Sequence, residues 1–273
     1  MPNSLKRSFQ FWGELIKRRI ASPKKTIQRF FYEILTRRLV DFYLVTMPQG
    51  GTHWLWCMIA RALVKHFGVD YKFESIYVPE IIPRFSVREK KKKENLPRIQ
   101  HSHLPYFFFF KKKKVILLVR DLRDNLVSRY KKYKKRTKNS LPFSVFLKKG
   151  FNNKNGLRVH PLKKKVDFLN SWAKNKNKLR GFLIVKYEDL KEKPQETMGE
   201  VLDFLGISGV NLEEIIEFGS LENIRKLGGE GVAKGTVNKG QIGEWREYFS
   251  ENDQSYFKDY LSENLIDSFG YKY

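Results

Sequence analysis

Glycines at 50 and 51, histidines at 101 and 103, and an arginine at 120 with a serine at 128 are residues whose types and spacing suit chemistry on an anion. The glycines lie in Pro48-Gln-Gly-Gly-Thr-His-Trp54, between an apolar run and a segment of helical period. Glycines there let backbone N–H groups approach a phosphate, and a helix N-terminus favours negative charge. The loop lacks the G-x-x-x-x-G-K-[ST] pattern of a Walker A loop. On a strand, His101 and His103 face the same side. A histidine at a strand end, followed by Leu104-Pro105, suits a general base, because loops after strands line α/β sites. Arg120 leaves the apolar run Val115–Val119, and Ser128 follows about two helical turns later. A guanidinium fork and a hydroxyl together suit a phosphate. Asn238–Trp245 is a basic glycine loop closing on a tryptophan. Taken singly, each has an ordinary structural reading: a core histidine, a surface arginine, a helix serine.

The elements that position these residues are legible in the pattern. Phe42–Val45 reads as a buried strand, and Leu55, Met58, Ile59, Ala62 and Leu63 give the following Thr52–His66 a helical face. Arg98–Ser102 reads as a short strand. Val115–Val119, apolar on both faces, reads as a central parallel strand, and Phe182–Tyr187 as a third strong one. Asp121 or Asp124 caps the basic helix after 119. A short helix is expected around Phe143–Lys149, within an irregular Asn139–Asn155. Val166, Phe168, Leu169 and Trp172 mark another helix, Pro194–Phe204 a further one ended by Gly206, and Asp253–Asp267 a terminal one. Strands separated by helices predict one α/β domain: a central, mainly parallel sheet with helices on both faces.

The chain has 273 residues, 41% of them hydrophobic, enough for a packed core. The single cysteine, Cys57, excludes an intrachain disulfide and suits a reducing, cytoplasmic setting as a buried, inert thiol. The formal net charge of +25 calls for an anionic ligand or a polyanionic partner. Between Lys111 and Lys138 there are thirteen Lys or Arg against two Asp. No apolar run reaches the ~20 residues of a membrane span. Residues 1–40 read as a basic N-terminal segment expected to be helical, with Leu5, Phe9, Trp12, Ile16 and Ile20 at helical spacing. That segment packs on the domain or lies on an anionic membrane surface.

In order and spacing, these segments resemble the sulfotransferases that use 3′-phosphoadenosine 5′-phosphosulfate (PAPS). The family's P-K-S-G-T-T-W loop resembles Pro48–Trp54, its K-T-H-L-P resembles His101-Ser-His-Leu-Pro105, and its V-x-R-N-P-R-D-x-x-V-S resembles Leu118–Ser128. Its R-K-G-x-x-G-D-W resembles Asn238-Lys-Gly-Gln-Ile-Gly-Glu-Trp245, and its strand ending Y-E-D-L resembles Tyr187–Leu190. The likeness runs from about Asp41 to Tyr273. It implies a P-loop-like fold in which Gln49, Gly50, Gly51, Thr52 and His53 cradle the 5′-phosphosulfate and Trp54 stacks on adenine near Tyr187. Arg120 and Ser128 then bind the 3′-phosphate, and Asn238, Lys239 and Gly240 close over it. His103 takes the proton of a hydroxyl or amine acceptor, with Gln49 and Lys239 assisting at the reacting group. The acceptor is a small molecule, lipid or carbohydrate, and no metal is required.

Two departures bear on activity. The family's loop lysine is Gln49 here, which donates hydrogen bonds without positive charge, and its closing arginine is Asn238. A PAP-binding or PAPS-binding homologue with impaired catalysis therefore stays open beside the enzyme. A basic nucleic-acid-binding protein ranks lower, because no RNA-module stacking motif is present. A P-loop kinase ranks last, lacking Walker A.

Overall fold

The computed structural model describes residues 39–74, 78, 80–83, 95–137, 141–153, 156–227 and 241–273. The expected N-terminal helices, the Lys90–Lys93 run and Asn238–Gly240 lie outside the described residues.

Phe42–Thr46 (β1), Ile99–Ser102 (β2), Lys114–Val119 (β3) and Gly181–Lys186 (β6) form a parallel sheet in the order β2-β1-β3-β6. Successive side chains on a strand point to opposite faces, and the core divides accordingly. Tyr43, Val45, Val115, Leu117 and Val119 enter one cluster, whereas Leu44, Ile116 and Leu118 enter another. The first cluster is covered by helices Leu122–Thr137 (α2), Phe143–Lys148 (α3), Pro161–Ala173 (α4) and Glu251–Asn264 (α9). The second is covered by Thr52–His66 (α1), Pro194–Leu205 (α6) and Leu212–Phe218 (α7), which Leu221–Leu227 (α8) follows in the chain. Helices therefore lie on both faces, as the alternation of strand and helix patterns requires.

Helix boundaries have local causes. Gly206, left-handed at φ 73, ends α6. Ser250 and Asp253 form a reciprocal capping box that starts α9. Asp121 Oδ1 accepts from Arg123 N at 2.7 Å, so Asp121 caps α2 and Asp124 is left for another task.

Two expectations change. The strand expected to include Tyr187 ends at Lys186, and Tyr187–Glu192 is a short helix, α5. The stretch expected to be irregular before 155 contains β4 (Phe151–Asn152), paired antiparallel with β5 (Arg158–Val159). Gly150, at φ 73, lets the chain turn there, where a methyl would sit 2.1 Å from Val159 O.

The topology fixes the site. The chain leaves β1 for β2 on one side, then crosses to β3 on the other, so the strand order reverses between β1 and β3. Ligands in open parallel sheets bind at the carboxyl ends beside such a reversal. Pairing aligns those ends: Val45 with Ser102, Thr46 with Leu118, and Val119 with Lys186. His103, Arg120 and Tyr187 are each the first residue past a strand end.

Candidate functional site

Thr46 ends β1, and the chain turns at once. Gly50 N donates to Met47 O at 2.8 Å, and Gln49 (φ 68) and Gly51 (φ 90) are both left-handed. A side-chain-bearing residue such as Gln49 adopts that region at an energetic cost, and such residues gather at functional loops. Gly51 must be glycine for a second reason: a methyl there would lie 2.4 Å from the Tyr187 ring. At Gly50 a methyl would meet Met47 O at 2.7 Å. Helix α1 then begins with no side-chain cap and no acid in its first turn. Its first N–H groups and dipole are therefore offered to an external anion.

Thr46 Oγ1 joins the loop to the histidines. It lies 2.7 Å from Thr52 Oγ1, 3.0 Å from His101 Nε2 and 3.0 Å from His103 Nδ1. His103 Nδ1 also lies 2.8 Å from the Thr46 carbonyl oxygen. A carbonyl only accepts, so Nδ1 carries the proton and Nε2 carries the basic lone pair. His101 is buried, whereas His103 is exposed. Trp56 of α1 stacks between His53 and His101, with ring centroids 5.7 and 5.0 Å away. Nothing in the glycine motif marked Trp56, although its helical phase beside Leu55 and Ile59 makes it a core residue.

Just past the end of β3, Arg120 is buried, with its guanidinium 4.5 Å from the Tyr187 ring centroid. Trp54 meets the same ring edge-on at 5.6 Å. Arg120 Nη2 donates to Gln241 O at 3.0 Å, whereas its Nε is buried without a hydrogen-bond partner among the described residues. Asp124 holds the closing segment: its two carboxylate oxygens accept from Gly243 N at 2.7 Å and Trp245 N at 2.9 Å. Burial pushes the Asp124 carboxyl up, against the pull of those donors and of Arg120. Lys131 pairs with Glu244, and the Arg123 guanidinium lies 4.2 Å from the Trp245 ring centroid. Ser128 is buried on α2.

The structure thus brings Gln49, Gly50, Gly51, Thr52, His53, Trp54, His103, Arg120 and Tyr187 to one end of the sheet. Lys165, which the motifs did not single out, joins them from α4. Its Nζ donates to Pro48 O at 2.6 Å and to Gln49 Oε1 at 3.4 Å. Its signal was helical spacing: Leu162, Lys165, Leu169 and Trp172 share one face, so this lysine falls on the buried side of α4. Burial, then Arg129 and Arg120, hold its ammonium well below the ordinary lysine value. Cys57 is buried and its thiol pushed up to about 12, which makes it inert. No helix among the described residues is long and apolar enough to cross a membrane.

Comparison with known proteins agrees with this fold. Residues 39–269 match the family model of the sulfotransferase domain. Sulfotransferase 2A6 of Rattus norvegicus is 26% identical over 271 residues, covering 89% of this chain and 90% of that protein. Flavonol 3-sulfotransferase of Flaveria bidentis is 26% identical over 258 residues, covering 83% and 78%. Among solved structures, a mouse sulfotransferase complexed with PAP superposes with a TM-score of 0.60 at 20% identity, over 85% of this chain and 86% of that one. Retinol dehydratase in complex with androsterone and PAP gives 0.58 at 18% identity, over 85% and 82%. With the family model spanning nearly the whole described fold, the chain belongs to the sulfotransferase family.

Proposed function

We propose that the protein moves a sulfuryl group from PAPS to a hydroxyl or amine of a small-molecule, lipid or carbohydrate acceptor. The observation that carries this reading is His103, exposed at the end of β2 with Nδ1 pinned to the Thr46 carbonyl beside the glycine loop. That pin sets the tautomer a base needs. A bisphosphorylated adenosine fits the residues around it: a tight loop whose two glycines admit no methyl, an uncapped helix N-terminus, and a buried Arg120 Nε without a partner among the described residues.

PAPS supplies an activated sulfuryl group. The loop N–H groups of Gly51–His53 hold its 5′ end, and Arg120 with Ser128 holds the 3′-phosphate. Trp54 and Tyr187 flank the base, and Asn238, Lys239 and Gly240 complete the closing segment that Asp124 anchors. His103 Nε2 accepts the proton of the acceptor as its oxygen or nitrogen bonds to sulfur. The bond from sulfur to the 5′-phosphate oxygen breaks, leaving the electron pair on phosphate. Base assistance of this kind contributes roughly 10²–10⁴-fold, and the loop donors stabilise the growing charge. The lone buried cysteine supports a reducing, cytoplasmic setting.

The test is calorimetric titration with PAP, adenosine 5′-phosphate and ATP, followed by labelled PAPS with an acceptor panel that includes flavonols and sterols. Preference for PAP together with label transfer is expected. No preference for PAP sinks the proposal. The neutral Gln49 favours a second reading, a PAP-binding homologue without turnover, and PAP binding with no transfer to any acceptor is its signature.

A further inference from the structure

Lys165 is 6% exposed and sits on the protein face of the loop, yet its partners among the described residues are neutral oxygens. Among the described residues no carboxylate pairs with it, and the charges that act on it are those of Arg129 and Arg120. An ammonium buried in the field of Arg129 and Arg120 has no anion beside it among the described residues, and an unpaired buried charge is strongly unfavourable. An anion over the loop supplies the missing partner. The loop itself contributes no cation, since Thr46–Leu55 contains no Lys or Arg.

The contact with Gln49 adds direction. An ammonium only donates, so the Gln49 atom facing Lys165 is Oε1, and the two N–H donors of the amide lie on the other side of the fork. Gln49 is left-handed at φ 68 and half-buried, held between Pro48 O, which Lys165 also binds, and the tight turn at Gly50. One lysine thereby fixes both the loop backbone and the orientation of the only long polar side chain in the loop.

We propose that Lys165 and Gln49 act as one unit on the 5′-phosphate end of the ligand: Lys165 anchors Gln49 Oε1 and Pro48 O, aims the Gln49 amide donors at the phosphate, and places a positive charge behind them. Lys165 is a positioning residue that acts through Gln49. The inference rests on reading the loop as the cradle of a 5′-phosphate. It assigns the charge of this end to a helix more than a hundred residues downstream of the loop.

The experiment is calorimetric titration of the full chain with two probes, PAP and adenosine 3′-phosphate, which lacks the 5′ group. Wild type is expected to prefer PAP. In Lys165→Met the PAP affinity is expected to fall about tenfold while adenosine 3′-phosphate binds as before, because charge-assisted hydrogen bonds are lost at one end only. Gln49→Lys in the Lys165→Met background is expected to restore the preference, whereas a purely structural lysine would not be rescued this way. Gln49→Ala provides an independent arm should Lys165→Met fail to fold: it is expected to lose the same preference, and the PAP affinity of Lys165→Arg is expected to stay near wild type. Unchanged PAP affinity in Lys165→Met, or equal loss for both probes, overturns the unit. For Gln49→Ala, an unchanged preference does the same. A wild type that shows no preference for PAP overturns the reading of the loop itself, which is a separate failure.

Discussion

At the loop end of the site, Thr46–Thr52 is one continuous stretch that leads into backbone N–H donors at an uncapped helix start. At the far end, Arg120, Asp124, Tyr187 and Gln241–Trp245 come from three separate parts of the chain and meet through charge and rings. The loop end carries almost no side-chain charge of its own and borrows Lys165. The far end holds its arginine beside an aromatic ring and uses a carboxylate to tie down the closing segment. The contrast separates two tasks. Backbone donors fixed by glycine geometry stabilise charge that moves during a reaction, without reorganising. A guanidinium recognises a phosphate whose charge is constant, whereas the carboxylate of Asp124 holds backbone N–H groups of the segment beside it.

Substitutions at the two ends should therefore separate turnover from affinity. The largest effect is expected for His103→Ala, with transfer lowered roughly 10²–10⁴-fold and PAP affinity nearly unchanged. Parallel loss of both, measured by label transfer and calorimetry, would make His103 structural and erase the division. Next is Arg120→Ala, where PAP affinity should fall about 10–100-fold, as for a lost hydrogen bond to a charged group. Adenosine 5′-phosphate should be little affected, and an equal loss for both nucleotides would remove Arg120 from the 3′-phosphate.

A smaller effect is expected from Asp124→Asn. An aspartate offers an acceptor oxygen to each of Gly243 N and Trp245 N, whereas asparagine offers only one, so about 1–3 kcal/mol of closing-segment anchorage should be lost. Hydrogen exchange at the Gly243 and Trp245 amides should speed up, and unchanged exchange would remove Asp124 from that anchorage. The pH dependence sharpens this test. Because burial raises the Asp124 carboxyl, it takes up its proton at a higher pH than an ordinary aspartate as pH falls. A carboxyl that folding raises binds its proton more tightly when folded, so wild type should keep its closing segment as pH falls, and Asp124→Asn should be looser at every pH. The smallest effect belongs to Thr46→Val, which keeps the Thr46 carbonyl on His103 but removes the hydroxyl shared with His101 and Thr52. Denaturant melts should show about 1 kcal/mol lost, with PAP affinity retained. A large loss of PAP affinity would mean that the histidine pair and the loop are not separable.

Much of the frame was legible because its signals are local. The span Thr52–His66 follows from helical phase after two glycines, and β3 follows from an apolar run on both faces. The end of β6 was misplaced by one residue, because Tyr187 favours strands and only its packing against Gly51, Trp54 and Arg120 puts it in the helix that follows. The β4–β5 hairpin escaped notice because two-residue strands have no periodicity to detect. Asp124 had been one of two candidates for a helix cap; Asp121 took that bond, and Asp124 turned to residues 119 and 121 positions away in sequence.

By itself the sequence determined the parallel α/β class, the glycine loop at a helix start, and the placement of His103 and Arg120 just past strand ends. These follow from periodicity, glycine conformation and strand length, which involve near neighbours only. The tertiary structure alone decided that one threonine hydroxyl serves two histidines, that Asp124 grips the closing segment, and that Lys165 lies beneath Gln49. Those contacts span between 6 and 121 residues of chain. Apart from the Thr46–Thr52 pair, they exist because the sheet order reverses between β1 and β3 and α4 packs across the face of the sheet, a long-range arrangement that no local pattern encodes.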